Sequence, residues 1–509
     1  MSDFPWLSAL TFLPLAGALA IMALPRRSVH AIQAVAIGAS AGSLIIAIWL
    51  FAVYQTAPSA EMRWLEELPW LPELGISYKM GIDGISVPMV LLSGIIGFTA
   101  VLMSLAIRER VKEFFALALA AISGAFGVFT ALDLFFFILF YELASIPMFF
   151  LVGIWGSDKT GDGRPVTRQG AAMKLLIYLQ LGGGLVLLGI LGLYFGTGLQ
   201  TFDFLALRTA LRDQPGLLPS GVESALFLLL FVGFGIEAGL VPFHTWLPDG
   251  HSSAPTPLSM LLAGVLLKMG SYGIIRLGIE LLPGGATYWV PLCATLAVIN
   301  ILYGGLCALR QTDIKVMIAY SSVSHMGMVF LGFACIASSG REHILYGLSG
   351  AMFQMFSHGV ITALLFALAG TVYSIVHTRD LRQWGGLASR MPFFATLYVL
   401  GALASLGLPG MTGFVSELMV FLGAWTLNPV LCMMAIAGLI ITTTYLLRSV
   451  QYAFYGPLNP RHQEARDASF AEGLPMVILA ASTLIFGIFP GWMVSTMSET
   501  LLKIAERFG

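Results

Sequence analysis

Apolar runs of roughly 20 residues recur along the whole chain, divided by short polar connectors, and a run of that length crosses a bilayer as a helix. Fourteen runs predict fourteen membrane-crossing helices, near residues 5–24, 31–53, 84–106, 113–131, 133–154, 171–195, 224–243, 258–281, 288–308, 314–336, 347–376, 393–423, 428–455 and 473–494. The narrowest division is between the fourth and fifth, where only Thr130-Ala-Leu-Asp133 intervenes. The start, Met1-Ser-Asp-Phe-Pro-Trp6, lacks the basic segment of a secretory signal, so the first run is expected to be a retained helix. The fold class expected is an all-α polytopic membrane protein.

Two runs carry helix breakers. In the seventh, Pro242 and Pro248 bracket Phe243-His-Thr-Trp-Leu247. In the twelfth, Leu408-Pro-Gly-Met-Thr-Gly413 interrupts an otherwise apolar stretch. Proline removes an amide donor and glycine loosens the backbone. Broken helix is tolerated in lipid where the freed groups face protein or water. Two interrupted helices five runs apart point to the inverted repeats of a transporter. On that pairing residues 1–112 hold helices 1–3, residues 113–281 a first repeat (helices 4–8), residues 288–455 a second repeat (helices 9–13), and residues 473–509 the last helix. Kinks that serve packing alone are the competing reading.

Composition narrows the class further. The chain is 58% hydrophobic and 10% charged, against about 25% charged in soluble domains. A net charge of −1, without a long basic stretch, argues against a nucleic-acid partner. Cys293, Cys307, Cys335 and Cys432 are scattered through apolar segments, with no CxxC, so no iron–sulfur or zinc site is expected. No GxGxxG follows a strand and no phosphate loop occurs, so no nucleotide or flavin is expected in this chain. Lys and Arg number 15 in loops after odd-numbered runs and 8 in the remaining loops and tails, with Lys174, Lys268 and Arg448 inside runs. By the positive-inside rule the odd-numbered loops are cytoplasmic and both termini lie outside.

The few ionisable groups inside the runs are the candidate chemistry. Lys268 sits mid-run, between Leu258-Ser-Met-Leu and Tyr272-Gly-Ile-Ile275. An ammonium at that depth costs roughly 2.5–3.5 kcal/mol on insertion scales, so it is kept where it faces a partner or a wet cavity. Glu142, Glu237 and Glu417 share that predicament. Their bland readings are a structural hydrogen bond for Glu142 and Glu237, and for Glu417 a carboxylate near the dipole of a restarted helix. His325 and His358 lie inside the tenth and eleventh runs with Ser and Tyr nearby. Neutral imidazole accepts on one nitrogen and donates from the other, which suits proton passage. Lys174 opens the sixth run and either joins the site or snorkels to the interface. His244, His251 and Asp249 flank the first break, but their spacing matches no metal-ligand pattern.

Four segments carry a resemblance. Pro242-Phe-His-Thr-Trp-Leu-Pro-Asp-Gly-His251, Leu262-Ala-Gly-Val-Leu-Leu-Lys268, Asp313-Ile-Lys-Val-Met-Ile-Ala-Tyr-Ser-Ser-Val-Ser-His325 and Gly413-Phe-Val-Ser-Glu417 resemble the proton-translocating antiporter-like subunits of respiratory complex I. Length, spacing and Met80-Gly-Ile-Asp-Gly-Ile-Ser86 are most similar to the M type, counterpart of mitochondrial subunit 4. The resemblance implies two inverted five-helix repeats, each with a broken helix, and a hydrophilic axis in the membrane plane. It implies that Glu142 is the fifth-helix glutamate, Lys268 the central eighth-helix lysine, Glu417 the twelfth-helix exit charge, and His325 and His358 the linking histidines. The family usually carries lysine in the seventh helix, where this chain has Glu237. A Glu–Lys pair thus becomes two carboxylates, and like charges that approach disfavour joint ionisation. Lys174 matches another lysine of the family.

The function implied is a proton-translocating subunit of a bacterial inner-membrane NADH–quinone oxidoreductase. NADH, FMN, iron–sulfur clusters and quinone are expected in partner subunits. The partners implied are L-like and N-like antiporter subunits and small membrane subunits. Competing readings are a subunit of a multi-subunit sodium/proton antiporter, the membrane arm of a hydrogenase, and a scaffold without transport.

Overall fold

The computed structural model describes residues 4–158 and 166–508. Lys159 and Arg164, counted above as loop charges, and Met1–Asp3 lie outside the described residues. Among the described residues thirteen helices are long and apolar enough to cross a membrane, the shorter pair Pro392–Ser405 and Thr412–Leu427 together stands where the twelfth run was expected, and the crowded fourth–fifth division resolves into two helices.

The first is α1 (Trp6–Ala23), and α2 (Val29–Gln55) follows. A hairpin of β1 (Arg63–Leu71) and β2 (Ile76–Ile82) then precedes α3 (Ser86–Met103). Next come α4 (Val111–Thr130), α5 (Leu134–Trp155), α6 (Arg168–Thr197) and a short amphipathic α7 (Phe204–Asp213). Asp133 caps α5, its carboxylate accepting from the Phe135 and Phe136 amides at 2.9 and 3.2 Å.

The seventh crossing is split into α8 (Ser220–Glu237) and α9 (Trp246–Ser253). Helix α8 stops at Glu237, and Gly239 follows with φ +81°. Only Pro242 acts as a breaker. Pro248 falls in the first turn of α9, where no intrahelical amide partner is needed. Asn300, on a neighbouring helix, satisfies the freed backbone: its Oδ1 accepts from the Val241 amide at 2.8 Å, and its Nδ2 donates to Gly239 O at 3.1 Å.

The eighth crossing runs Thr256–Ile279 as α10 (Thr256–Leu261) and α11 (Leu267–Gly273), with π turns at Leu262–Leu266 and Ile274–Ile279. It is enclosed along its length. After it come α12 (Pro283–Arg310), α13 (Ile314–Ala334) and α14 (Arg341–Val376). The twelfth crossing is α15 (Pro392–Ser405) and α16 (Thr412–Leu427), parted at 406–411. Then come α17 (Pro429–Phe454), α18 (Phe470–Ile488) and a terminal α19 (Pro490–Ala505).

Arg276, one of the 8 charges assigned to the remaining loops and tails although it falls within the eighth run, is a buried helical residue. It pairs with Asp83 at 2.6 Å and with Glu280 at 2.9 Å. Moving it out of the loop count widens the charge bias rather than reversing it.

Candidate functional site

The enclosed eighth crossing places Lys268 at the centre of the molecule, fully buried. Its ammonium donates to Ala263 O, a carbonyl made available by the π turn one step before it. The ammonium also lies 2.6 Å from Nδ1 of His358 on α14. No carboxylate lies within ion-pair distance of Lys268 among the described residues.

From His358 the polar groups continue. The His358 and His325 rings are 5.7 Å apart between centroids. His325, on α13, has Nδ1 at 3.4 Å from Glu417 Oε1 and at 3.4 Å from the Gln354 amide nitrogen. Its Nε2 lies 3.2 Å from Ser405 Oγ. The Ser416 hydroxyl donates to Gln354 Oε1. A void of about 10 Å³ sits among His325, His358, Ser357, Ser405 and Glu417, close to the room one water needs. Gly407 lines this end with φ +75°, and a Cβ there would lie 2.8 Å from Glu417 Oε2. Ser405 thus ends one half-helix and Glu417 sits on the next, so the break brings both to His325.

The other two carboxylates stand apart from this row. Glu237, the last residue of α8, is fully buried and faces the hydroxyls of Tyr141 and Ser145 and the carboxyl of Glu142, all on α5. Neither oxygen makes a hydrogen bond of good geometry, so the contacts to Tyr141 and Ser145 are loose ones. Glu142 is half-buried and accepts from Gln180 of α6 at 2.6 Å. Lys174 meets neither carboxylate: it bonds Asp249 Oδ2 on α9 at 2.7 Å, tying α6 to the short half-helix.

Three residues at this centre were not singled out as site residues from the sequence. His251 of α9 is fully buried, stacked on Phe366 at 4.6 Å, with both ring nitrogens unbonded. It lies near Lys268, Lys315 and the His358 imidazole. Gln354 and Ser405 complete the His325 set. His251 was visible as a histidine beside the break, but only the fold turns it inward. No grouping of three or more His, Cys, Asp or Glu with metal-binding geometry occurs among the described residues.

Comparison with known proteins shows the family and the fold. A family model described as NADH:quinone oxidoreductase/Mrp antiporter, TM, matches residues 131–442. The NAD(P)H-quinone oxidoreductase chain 4 2 of Microcystis aeruginosa is 39% identical over 463 residues, covering 89% of this chain and 80% of that protein. A chain of respiratory complex I from Thermus thermophilus superposes with a TM-score of 0.85 at 28% identity, covering 98% of this chain and 99% of that one. A chain of the Mrp complex from Dietzia shares the fold, with a TM-score of 0.85 at 20% identity, over 99% of this chain and 98% of that one.

Proposed function

Because the chain belongs to the NADH:quinone oxidoreductase/Mrp antiporter transmembrane family, we propose that its central row of Lys268, His358, His325 and Glu417 carries protons, with Glu142 and Glu237 as the separate acidic end of the same path. The chain is a proton-translocating membrane subunit of the NADH–quinone oxidoreductase kind, multi-pass in a bacterial inner membrane, and performs no redox chemistry itself. It sits among membrane-embedded partner subunits, and NADH, FMN, iron–sulfur clusters and quinone belong to partner subunits of the same assembly. L-like and N-like antiporter subunits flank it, the odd-numbered loops face the cytoplasm, and both termini face outside.

One observation carries the reading. A fully buried ammonium touches an imidazole rather than a carboxylate, so its proton has a neutral acceptor 2.6 Å away. Imidazole takes the proton on Nδ1 and releases another from Nε2. The small void beside His358 and His325 has about the room a single water needs to link the two rings. His325 then hands the proton to Glu417. Movement of a carboxylate or of His358 changes how tightly Lys268 holds its proton, which is the coupling step.

Two antiparallel bridges support the repeat boundaries at 113–281 and 288–455. Asp133 pairs with Asp203, and Asp313 with Asp380. In each case the first aspartate caps the second helix of its repeat and the second follows the third helix. Lys174 is placed as a positioning residue for α9 through Asp249.

Lys268→Ala tests the function. Proton pumping by the assembled complex is expected to stop while NADH–quinone electron transfer persists in part. An unchanged proton-to-electron ratio would refute the role. The family's Mrp members motivate a second reading, sodium–proton exchange. Pumping that requires sodium, in vesicles holding no redox partners, would select it.

A further inference from the structure

A cavity of about 460 Å³ opens at the end of the membrane domain remote from the hairpin, where α3, α14 and α18 come together. Its volume falls within the range of ligand pockets, roughly 300–1,000 Å³. Leu102, Leu105, Ile107 and Trp155 make much of its wall. Its rim is exposed at Ala106, Tyr373, Ser374 and Ala471.

Its deeper lining is polar and incompletely bonded. Ser253 and Thr371 are 1% and 3% exposed, and neither hydroxyl has a hydrogen-bond partner among the described residues. Lys315, also buried, donates to Ala254 O at 2.7 Å. Asp313, the carboxylate acting on Lys315, is ion-paired with Arg379 at 3.1 Å. The carboxylate that lines the cavity, Glu472, is engaged by Arg466 at 2.7 Å. One cation, Lys315, therefore borders the cavity without an ion-paired carboxylate, while Arg379 and both nearby carboxylates are taken up in ion pairs.

We propose that this cavity binds a single-chain amphiphile with a carboxylate head, of the fatty-acid kind. The head lies inward on Lys315 with Ser253 and Thr371 donating to it, and the chain runs out between Leu105, Ile107 and Tyr373 to the bilayer. The argument is complementarity of charge and polarity. A buried hydroxyl without a partner and an ammonium with one carbonyl leave donors that an anionic head satisfies. The apolar walls offer water few partners but match an alkyl chain. A diacyl lipid fits poorly, because its bulky head would have to lead into the buried end.

The test is photolabelling of the intact complex in its membrane with a palmitate analogue carrying a diazirine in the chain, followed by peptide mapping. Label is expected on the peptide holding Leu102–Ile107 and on that holding Tyr373. Unlabelled palmitate should compete and hexadecanol should not. Lys315→Gln should lower labelling there about tenfold or more, the loss of one charge-assisted contact. Leu105→Trp, which fills the cavity and leaves the charges intact, should abolish it and stands in if Lys315→Gln does not assemble. Equal competition by hexadecanol, preferential labelling by a diacyl phosphate lipid, or label no denser here than on other lipid-facing helices would each overturn the proposal. The readout involves no transport, so it stands or falls apart from the proton reading.

Discussion

The two broken crossings use the same device to different ends. At the α15–α16 break, Glu417 reaches His325, which also meets Gln354 and Ser405, so the acid belongs to a bonded set. At the α8–α9 break, Glu237 is equally buried but is met only loosely, by the Tyr141 and Ser145 hydroxyls. Yet the backbone of that break is satisfied by Asn300. Continuity of the chain therefore does not require an acid at position 237. A buried carboxyl met only by neutral hydroxyls is costly to keep, so Glu237 is the less well compensated acid, whereas Glu417 belongs to a set that includes an imidazole. Intramembrane ionisable groups are retained for function, and the contrast says that Glu237 is the clearer instance.

The contrast can be broken at several points. The largest effect is expected where the first break is held together. Asn300→Ala removes three side-chain bonds to backbone, to Val241, Gly239 and Val323. At about 1 kcal/mol each, heat dissociation of the purified complex should show a loss of about 3 kcal/mol. A smaller loss would mean that another group replaces Asn300.

Next come the acids themselves. Glu237→Leu should leave the thermal midpoint unchanged or raise it, because a buried carboxyl met only loosely by two hydroxyls is replaced by an apolar side chain. Glu417→Leu should lower it, by about 1–3 kcal/mol in stability, because His325 loses a partner. A fall at both positions, or at neither, would erase the distinction between the two breaks.

The smallest effects concern the caps that open the second helix of each repeat. Asp133→Ala and Asp313→Ala should each cost about 1 kcal/mol. Burial pushes the Asp133 carboxyl up to about 6. The folded chain then binds a proton more tightly than the unfolded one, so stability rises as pH falls from 6 toward about 4. Asp133→Asn should flatten that slope, and a slope left intact would assign it elsewhere.

Much of this was legible in the sequence, for physical reasons that also explain what was not. Lys268 and the three glutamates stand out because charge inside an apolar run has no cheap explanation. Both breaks announce themselves through proline and glycine. The hairpin over 63–82 escaped because it lies between membrane-length runs and makes no such run of its own. The π turns around Lys268 escaped because they shift hydrogen bonds without altering residue pattern. Pro248 misled because proline breaks a helix only beyond its first turn. Arg276 is counted above with the loop charges although it lies inside the eighth run with Glu280 as its i+4 neighbour, and its other partner, Asp83, meets it only in three dimensions. His251 and Asn300 are ordinary polar residues on apolar helices until packing points one toward Lys268 and the other at a broken backbone.

The most direct measurement is the proton-to-electron ratio of the assembled complex carrying Glu237→Gln, taken with its thermal midpoint in the same preparation. A carboxyl kept for transport predicts a lowered ratio with a midpoint no lower than that of the parent protein. A ratio equal to the parent's, in a complex that still reduces quinone, would contradict it.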